Sequence, residues 1–372
     1  MSARTSNGPG ILTRIFGSQW FVSVLAVLIA FVIGAVLIAL SGASVLDAYY
    51  AMFRGSIIVR QIKPLTDSLF YSIPLIISGL GLALGFRAGL FNIGGKGQII
   101  VGALAAVWVG FAVNLPPVVH TLVALLVAII AGGLYGGIAG VLKAKTGANE
   151  VIVTIMLNSI ATLGLGYTLT QKAWQVPGSN QPVTPKVADS AALARLLPAP
   201  FKLHVGFIVA LVALAFFWWL IERSTLGFQI RAVGANAAAA RTAGISVERI
   251  TAITMVLSGA FLGLAGANEA LGTIGYVSRD VAGSIGFDAI TVALLGRNKT
   301  WGTFGAGLLF GAFKAGGYTM QAKGVPIDMI LILQSVIVLL IAAPALVRWL
   351  FRLPDVRALA AQTRKGNADE HK

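Results

Sequence analysis

Residues 204–272 read HVGFIVALVALAFFWWLIERSTLGFQIRAVGANAAAARTAGISVERITAITMVLSGAFLGLAGANEALG. Two apolar runs, 204–221 and 250–272, enclose one polar segment, Glu222 to Arg249. Each run is close to the roughly 20 apolar residues that a helix needs to cross a bilayer. The polar segment carries Arg223, Arg231, Arg241 and Arg249 against Glu222 and Glu248. Its middle, Ala235 to Ala243, is rich in Ala, the best helix former. A short helix of small residues inside a basic loop has little to bury against itself, so it reads as something another protein grips.

The rest of the chain repeats the apolar pattern. Of its 372 residues, 57% are hydrophobic and 11% charged, against roughly 45–50% apolar in soluble domains. The runs are continuous and lack the alternation of barrel strands. The reading is therefore an all-α polytopic membrane protein of about ten transmembrane helices. The segments expected are 20–41, 68–86, 98–114, 119–142, 150–170, 204–221, 250–272, 285–296, 301–319 and 327–345. The first run exceeds the apolar core of a signal peptide, about 7–15 residues, and so reads as an uncleaved span. The domain plan is an N-terminal tail (1–19), a membrane domain (20–345) interrupted by the loop 222–249, and a C-terminal tail (346–372).

Charge orients this plan. The net charge is +15, and Lys and Arg gather in loops that stay in the cytoplasm. The basic clusters at the N-terminus, at Lys143–Lys145, at 222–249, at Arg297–Lys299 and after Arg348 all fall on one side, which makes both termini cytoplasmic. The segment 42–67 lands outside despite Arg54, Arg60 and Lys63, and part of it is expected to lie flat as an amphipathic helix. No nucleic-acid motif accompanies the charge. The chain has no Cys and three scattered His, so neither a thiolate nor a metal site is expected.

Two stretches break the membrane pattern. Segment 285–296 is too short to span about 30 Å at about 1.5 Å per residue, and 87–97 is polar and Gly-rich. Such broken segments survive at membrane depth only buried in protein or lining a cavity. In RAGLFNIGGKGQ (87–98), Asn92 and Gln98 offer uncharged donors and acceptors; the stretch reads either as a solute site or as a re-entrant turn that serves packing. It is no phosphate loop, since Gly95 precedes Lys96 and Gly97 follows it. In GANEVIVTIMLN (147–158), Asn149 and Glu150 suit a helix start. Thr154 and Asn158 share one helix face and read as pathway residues or as interhelical hydrogen-bonding groups. Asp288 in GFDAITVALLGRNKTWGT (286–303) reads as a functional carboxylate or a helix cap, and Asn268 and Glu269 carry the same two readings. LIISGLGLALGFRAGLFNIG (75–94) is similar to VLSGAFLGLAGANEALGTIG (256–275) in opposite topology, as in an inverted repeat. The Pro-rich loop 171–204 reads as a docking platform or a bare connector.

RAGLFNIGGKGQ, EVIVTIMLN, LGFQIRAVGANAAAARTAGI and GFDAITVALLG resemble the permeases of bacterial ATP-binding-cassette importers, of the branch linked with ribose, branched-chain amino acid and nucleoside uptake. The FNIG-x-x-GQ pattern points to the nucleoside branch, and the D-L-S-V-G run of sugar permeases is absent. The chain departs from the family in Lys96, where an acidic residue is usual, and in lacking the Glu-Ala-Ala start of many coupling loops. The resemblance implies a transport subunit of the bacterial cell membrane, not an enzyme, with no cofactor of its own. Its implied partners are a cytoplasmic ABC ATPase, a second permease (similar or identical) and an extracellular substrate-binding lipoprotein. It implies an ATPase-coupling role for Arg231, Gly234, Ala239, Ala240, Arg241, Gly244 and Ile245. The substrate-pathway candidates are Asn92, Gln98, Thr154, Asn158 and Asp288. The implied solute is a nucleoside; a permease for simple sugars and an ion-coupled secondary transporter are the competitors.

Overall fold

The computed structural model describes residues 19–40, 42–56, 62–179, 181–322 and a scatter of positions from 324 to 340. Regular structure among them is helical, and strand pairing is one isolated antiparallel bridge between Arg195 and His204. The helices are α1 (Gln19–Leu40), α2 (Val45–Ser56), α3 (Ile62–Arg87), α4 (Gly95–Ala112), α5 (Val119–Thr146), α6 (Glu150–Thr168), α7 (Gly206–Trp218), α8 (Thr225–Ala235), α9 (Ala237–Thr242), α10 (Val247–Asn268), α11 (Ile285–Leu295) and α12 (Thr300–Gln321). Two of them, α7 and α10, continue into π-helical turns, Trp219–Arg223 and Glu269–Ile274. Among the described residues, six elements are long and apolar enough to cross a membrane: α3, α4, α5, α6, and α7 and α10 with their π turns. The segment expected at 327–345 lies largely outside the described residues, as do most of the two tails.

Met52–Thr319 forms one compact unit, and Met1–Ala51 with Met320–Lys372 a second. In the second, Phe31 and Tyr49 meet edge to face at 5.4 Å, and the Tyr49 hydroxyl donates to the Phe31 carbonyl.

In the larger unit α10 is the central post, packed against α3, α4 and α5. Its most extensive packing is with α5, and small residues make it possible. A methyl at Gly132 would lie 2.5 Å from the Gly259 carbonyl oxygen and 2.6 Å from Gly263 Cα. One turn on, a methyl at Gly136 would lie 2.6 Å from the Met255 carbonyl oxygen. In lipid, where apolar burial no longer drives helices together, such backbone-to-backbone contact is what holds them. Helix α3 is buried on every side from Ser72 to Gly85, as expected of a helix apolar all round. Helix α6 instead exposes Ile152, Met156, Ile160 and Leu163; an apolar outer stripe suits a lipid-facing wall.

Helix starts are set by side-chain caps. Asn149 accepts from Val151 N at 2.9 Å, as its position before an apolar run suggests. Ser224, Asn236 and Ser246 cap α8, α9 and α10 in the same way. Three caps in one short stretch chop the segment 222–249 into separate pieces. The small-residue helix is therefore shorter than Ala235–Ala243, because Asn236 takes an extended backbone and restarts the chain at Ala237.

Candidate functional site

Loop 88–94 turns back into the bundle after α3. Its polar groups find partners on three helices. Asn92 Nδ2 donates to Gln98 Oε1 at 3.0 Å and to Ser258 Oγ at 2.9 Å, and its Oδ1 accepts from Gly94 N at 2.9 Å. Asn158 Oδ1 accepts from Gly97 N at 2.7 Å while its Nδ2 donates to the Ile93 carbonyl at 2.8 Å. Thr154 Oγ1 accepts from Ile93 N at 3.3 Å. Asn92, Gln98, Thr154 and Ser258 are all buried. The structure thus brings four of the five expected pathway residues together, as a network that satisfies its own hydrogen bonds. Glu150 adds an outer tie, with Lys143 at 2.6 Å and Phe91 N donating at 3.4 Å.

Asp288 lies elsewhere. It accepts from the Ser284 hydroxyl at 2.7 Å and faces Lys314 Nζ at 3.7 Å. Lys314 leads to a cavity of about 410 Å³ bounded by α3, the π turn after α10, α12 and the loop before α7. Its inner wall carries Tyr71, Glu269, Thr273, Lys314 and Tyr318, and Arg195 and Lys202 stand exposed at its edge. The Tyr71 and Tyr318 rings lie 5.2 Å apart and tilted by 30°. The wide π turn matters here: it swings Glu269 and Thr273 toward one side, and such turns recur at functional sites. Behind the wall, His204 is buried against Phe70, ring centroids 5.5 Å apart, and its Nδ1 accepts from Gly206 N at 3.1 Å. Burial pushes this imidazole down to about 4.

The cavity residues are the part sequence reading passed over. Glu269 drew notice only as ambiguous, and Tyr71, Tyr318 and Lys314 drew none. The available signal was Lys314, an ionisable residue inside an apolar run, which marks a functional position by default.

At the other end of the larger unit, the segment 222–249 forms a groove of about 560 Å³ between α8 and α9, lined by Phe228, Ala232, Ala239, Ala240 and Ile245 among others. Ala239 is exposed and Ala240 buried. Arg241 is exposed and pairs with Glu248 at 2.6 Å. Gly244 has φ +82° and open space around it. Gly234 sits so tightly on the Arg87 carbonyl that no side chain fits. Arg87 Nε in turn donates to the Asn298 carbonyl at 2.7 Å. The loop is thereby fixed to the end of α3 and, through Arg87, to the turn between α11 and α12. Arg231 is partly buried, and its Nη1 has no hydrogen-bond partner among the described residues.

A polar cavity at one end of an apolar helical unit and a projecting helical loop at the other define a multi-pass membrane transport component. A family model described as branched-chain amino acid transport system / permease component matches residues 65–342, and the chain belongs to that family; it is a permease subunit and not an enzyme. It is 40% identical over 342 residues to the guanosine ABC transporter permease protein NupP of Bacillus subtilis, covering 89% of this chain and 95% of that one. It is 35% identical to the glucose ABC transporter permease protein TsgB13 of Haloferax volcanii, over 85% of each chain. To the nucleoside ABC transporter permease protein NupB of Lactococcus lactis it is 32% identical, over 91% of this chain and 94% of that one. No solved structure matches the chain.

Proposed function

We propose that the chain imports nucleosides as the membrane subunit of an ATP-driven transporter. The observation that carries this reading is near full-length similarity to a guanosine permease, joined to a cavity within the 300–1,000 Å³ or so typical of small-molecule sites. In this reading the membrane domain spans 20–345 with about ten crossings, and both tails are cytoplasmic. A cytoplasmic ATPase docks in the groove between α8 and α9, meeting Arg231, Gly234, Ala239, Ala240, Arg241, Gly244 and Ile245. A second permease completes the path, and an extracellular binding lipoprotein delivers the solute to the loops beside the cavity. ATP shifts the complex between outward-open and inward-open states by its differential affinity for them.

Asn92, Gln98, Thr154 and Asn158 serve the path by holding loop 88–94 in place, and Asp288 serves it through Lys314. The inverted-repeat reading gains support from the centre of the unit. The helices carrying the two similar stretches, α3 and α10, are each followed by a helix with a glycine in its first turn, Gly95 and Gly286. Those starts meet: a methyl on Gly286 would lie 2.5 Å from Lys96 N. A pseudo-two-fold axis would bring two such starts together.

Uptake of radiolabelled guanosine and glucose by the complete complex in proteoliposomes tests the reading. ATP-dependent guanosine uptake is expected, and glucose uptake alone would transfer the chain to the sugar carriers. Gly244→Trp is expected to abolish co-purification of the ATPase while membrane insertion persists; unchanged co-purification would remove the coupling assignment.

A further inference from the structure

The cavity around Glu269 has a chemistry more specific than its size. Its position comes first. Helix α3 ends at Arg87, beside Gly234 of the loop 222–249, and Tyr71 lies about 24 Å back along it at about 1.5 Å per residue. Helix α10 starts at that same loop and reaches Glu269 only at its far end. The cavity therefore opens at the end opposite the loop 222–249.

Its contents come next. Tyr71 and Tyr318 form an aromatic wall, with Tyr318 45% exposed. At 5.2 Å the two rings already fill the space between them, so a flat ligand ring must lie against the outer face of the wall. Offset stacking of this kind accepts planar rings of many kinds. Glu269 is partly exposed into the cavity. Thr273 and Lys314 line the cavity with it, while Lys314 also faces Asp288 at 3.7 Å. A carboxylate accepts about four hydrogen bonds, so Glu269 keeps acceptor capacity on the cavity side. Asp288 faces Lys314, Glu269 shares its wall of the cavity, and Arg195 and Lys202 stand exposed at the rim.

We infer that this cavity is the solute-binding site of the permease. It takes a molecule whose planar ring stacks on the Tyr71–Tyr318 wall and whose two adjacent N–H or O–H donors are received by the Glu269 carboxylate. This rests on the nucleoside reading above and narrows it. In a nucleoside, two features supply such a donor pair: the cis-diol of ribose, or the N–H and NH₂ edge of guanine.

The test uses the complete transporter in proteoliposomes. Wild-type complex is photolabelled with 8-azidoguanosine and digested. Adducts are expected on the peptides holding Tyr71, Tyr318 or 269–273, reduced tenfold or more by excess guanosine and unaffected by excess leucine. Adducts confined to other peptides, or protection by leucine, overturn the assignment. Glu269→Gln and Tyr318→Ala are expected to lower guanosine uptake at least tenfold, and Tyr318→Phe, which keeps the ring, to lower it less than Tyr318→Ala. Uptake within twofold in both of the first two variants also overturns it. Competition by inosine and by 2′,3′-dideoxyguanosine identifies the donor pair: at least tenfold weaker competition is expected from one of them, and equal competition by both with guanosine removes the role given to Glu269. Absence of guanosine uptake by the wild type sinks the functional reading and this assignment together. Normal wild-type uptake with indifferent variants and labelling elsewhere sinks the assignment alone.

Discussion

Loop 88–94 and the cavity around Glu269 are both polar places in an apolar unit, and they differ in what their polar groups have left to give. In the loop, Asn92, Gln98, Ser258, Thr154 and Asn158 bond to one another and to backbone. Around them, helices touch backbone to backbone through Gly132, Gly136 and Gly259. In the cavity, a carboxylate, an ammonium and two phenol rings face open volume. Polar residues deep in a membrane protein thus divide by saturation. A closed network holds shape, and a set with spare valence can receive a ligand.

The strongest way to break this contrast is to attack the sealed region. Gly132→Leu would drive a branched side chain into the backbone of α10, and we expect loss of folded protein, more than about 5 kcal/mol. Fluorescence-detected gel filtration would read it as aggregated material. Gly164, where an added methyl would meet no described neighbour within 4 Å, is the control, since Gly164→Ala should elute as wild type. A folded, monodisperse Gly132→Leu protein would show that the seal is loose.

Asn92→Leu tests the network itself. It strands the Gln98 amide, the Ser258 hydroxyl and the Gly94 N–H, and should cost about 2–4 kcal/mol. Thermal unfolding in detergent measures that loss. A shift of Tm too small to detect would mean that the network carries no structural load, and would return Asn92 to the open, ligand-receiving group.

The smallest effect concerns the cavity's back wall. His204 is neutral when folded because burial pushes it down to about 4, whereas an unfolded His titrates near 6.5. Between those values the unfolded chain binds the extra proton, so stability is full above about pH 6.5 and falls as pH drops toward 4, by up to about 3 kcal/mol. Hydrogen exchange around 204–206 and 270–274 should rise in that window and stay flat in His204→Gln. Equal pH dependence in both would show that His204 is not sealed behind the wall.

Much of this was legible in the chain itself. Apolar run length announced the helices, because a bilayer demands about 20 residues per crossing. Asn149 announced a cap because a side-chain oxygen before an apolar run has one evident use. The Ala-rich stretch was found, but Asn236 divided it, a cap outweighing a continuous propensity. The cavity was harder to read. Tyr71, Glu269, Lys314 and Tyr318 are scattered over 248 positions and no local pattern links them.

Composition and run length alone determined an all-helical membrane chain with a basic, small-residue loop, because lipid leaves an unpaired backbone few options. Only the tertiary structure decided which polar side chains exhaust each other and which face an empty space. Saturation is a property of neighbours, and neighbours are made by helices crossing, here on bare glycine backbone, far apart in the sequence.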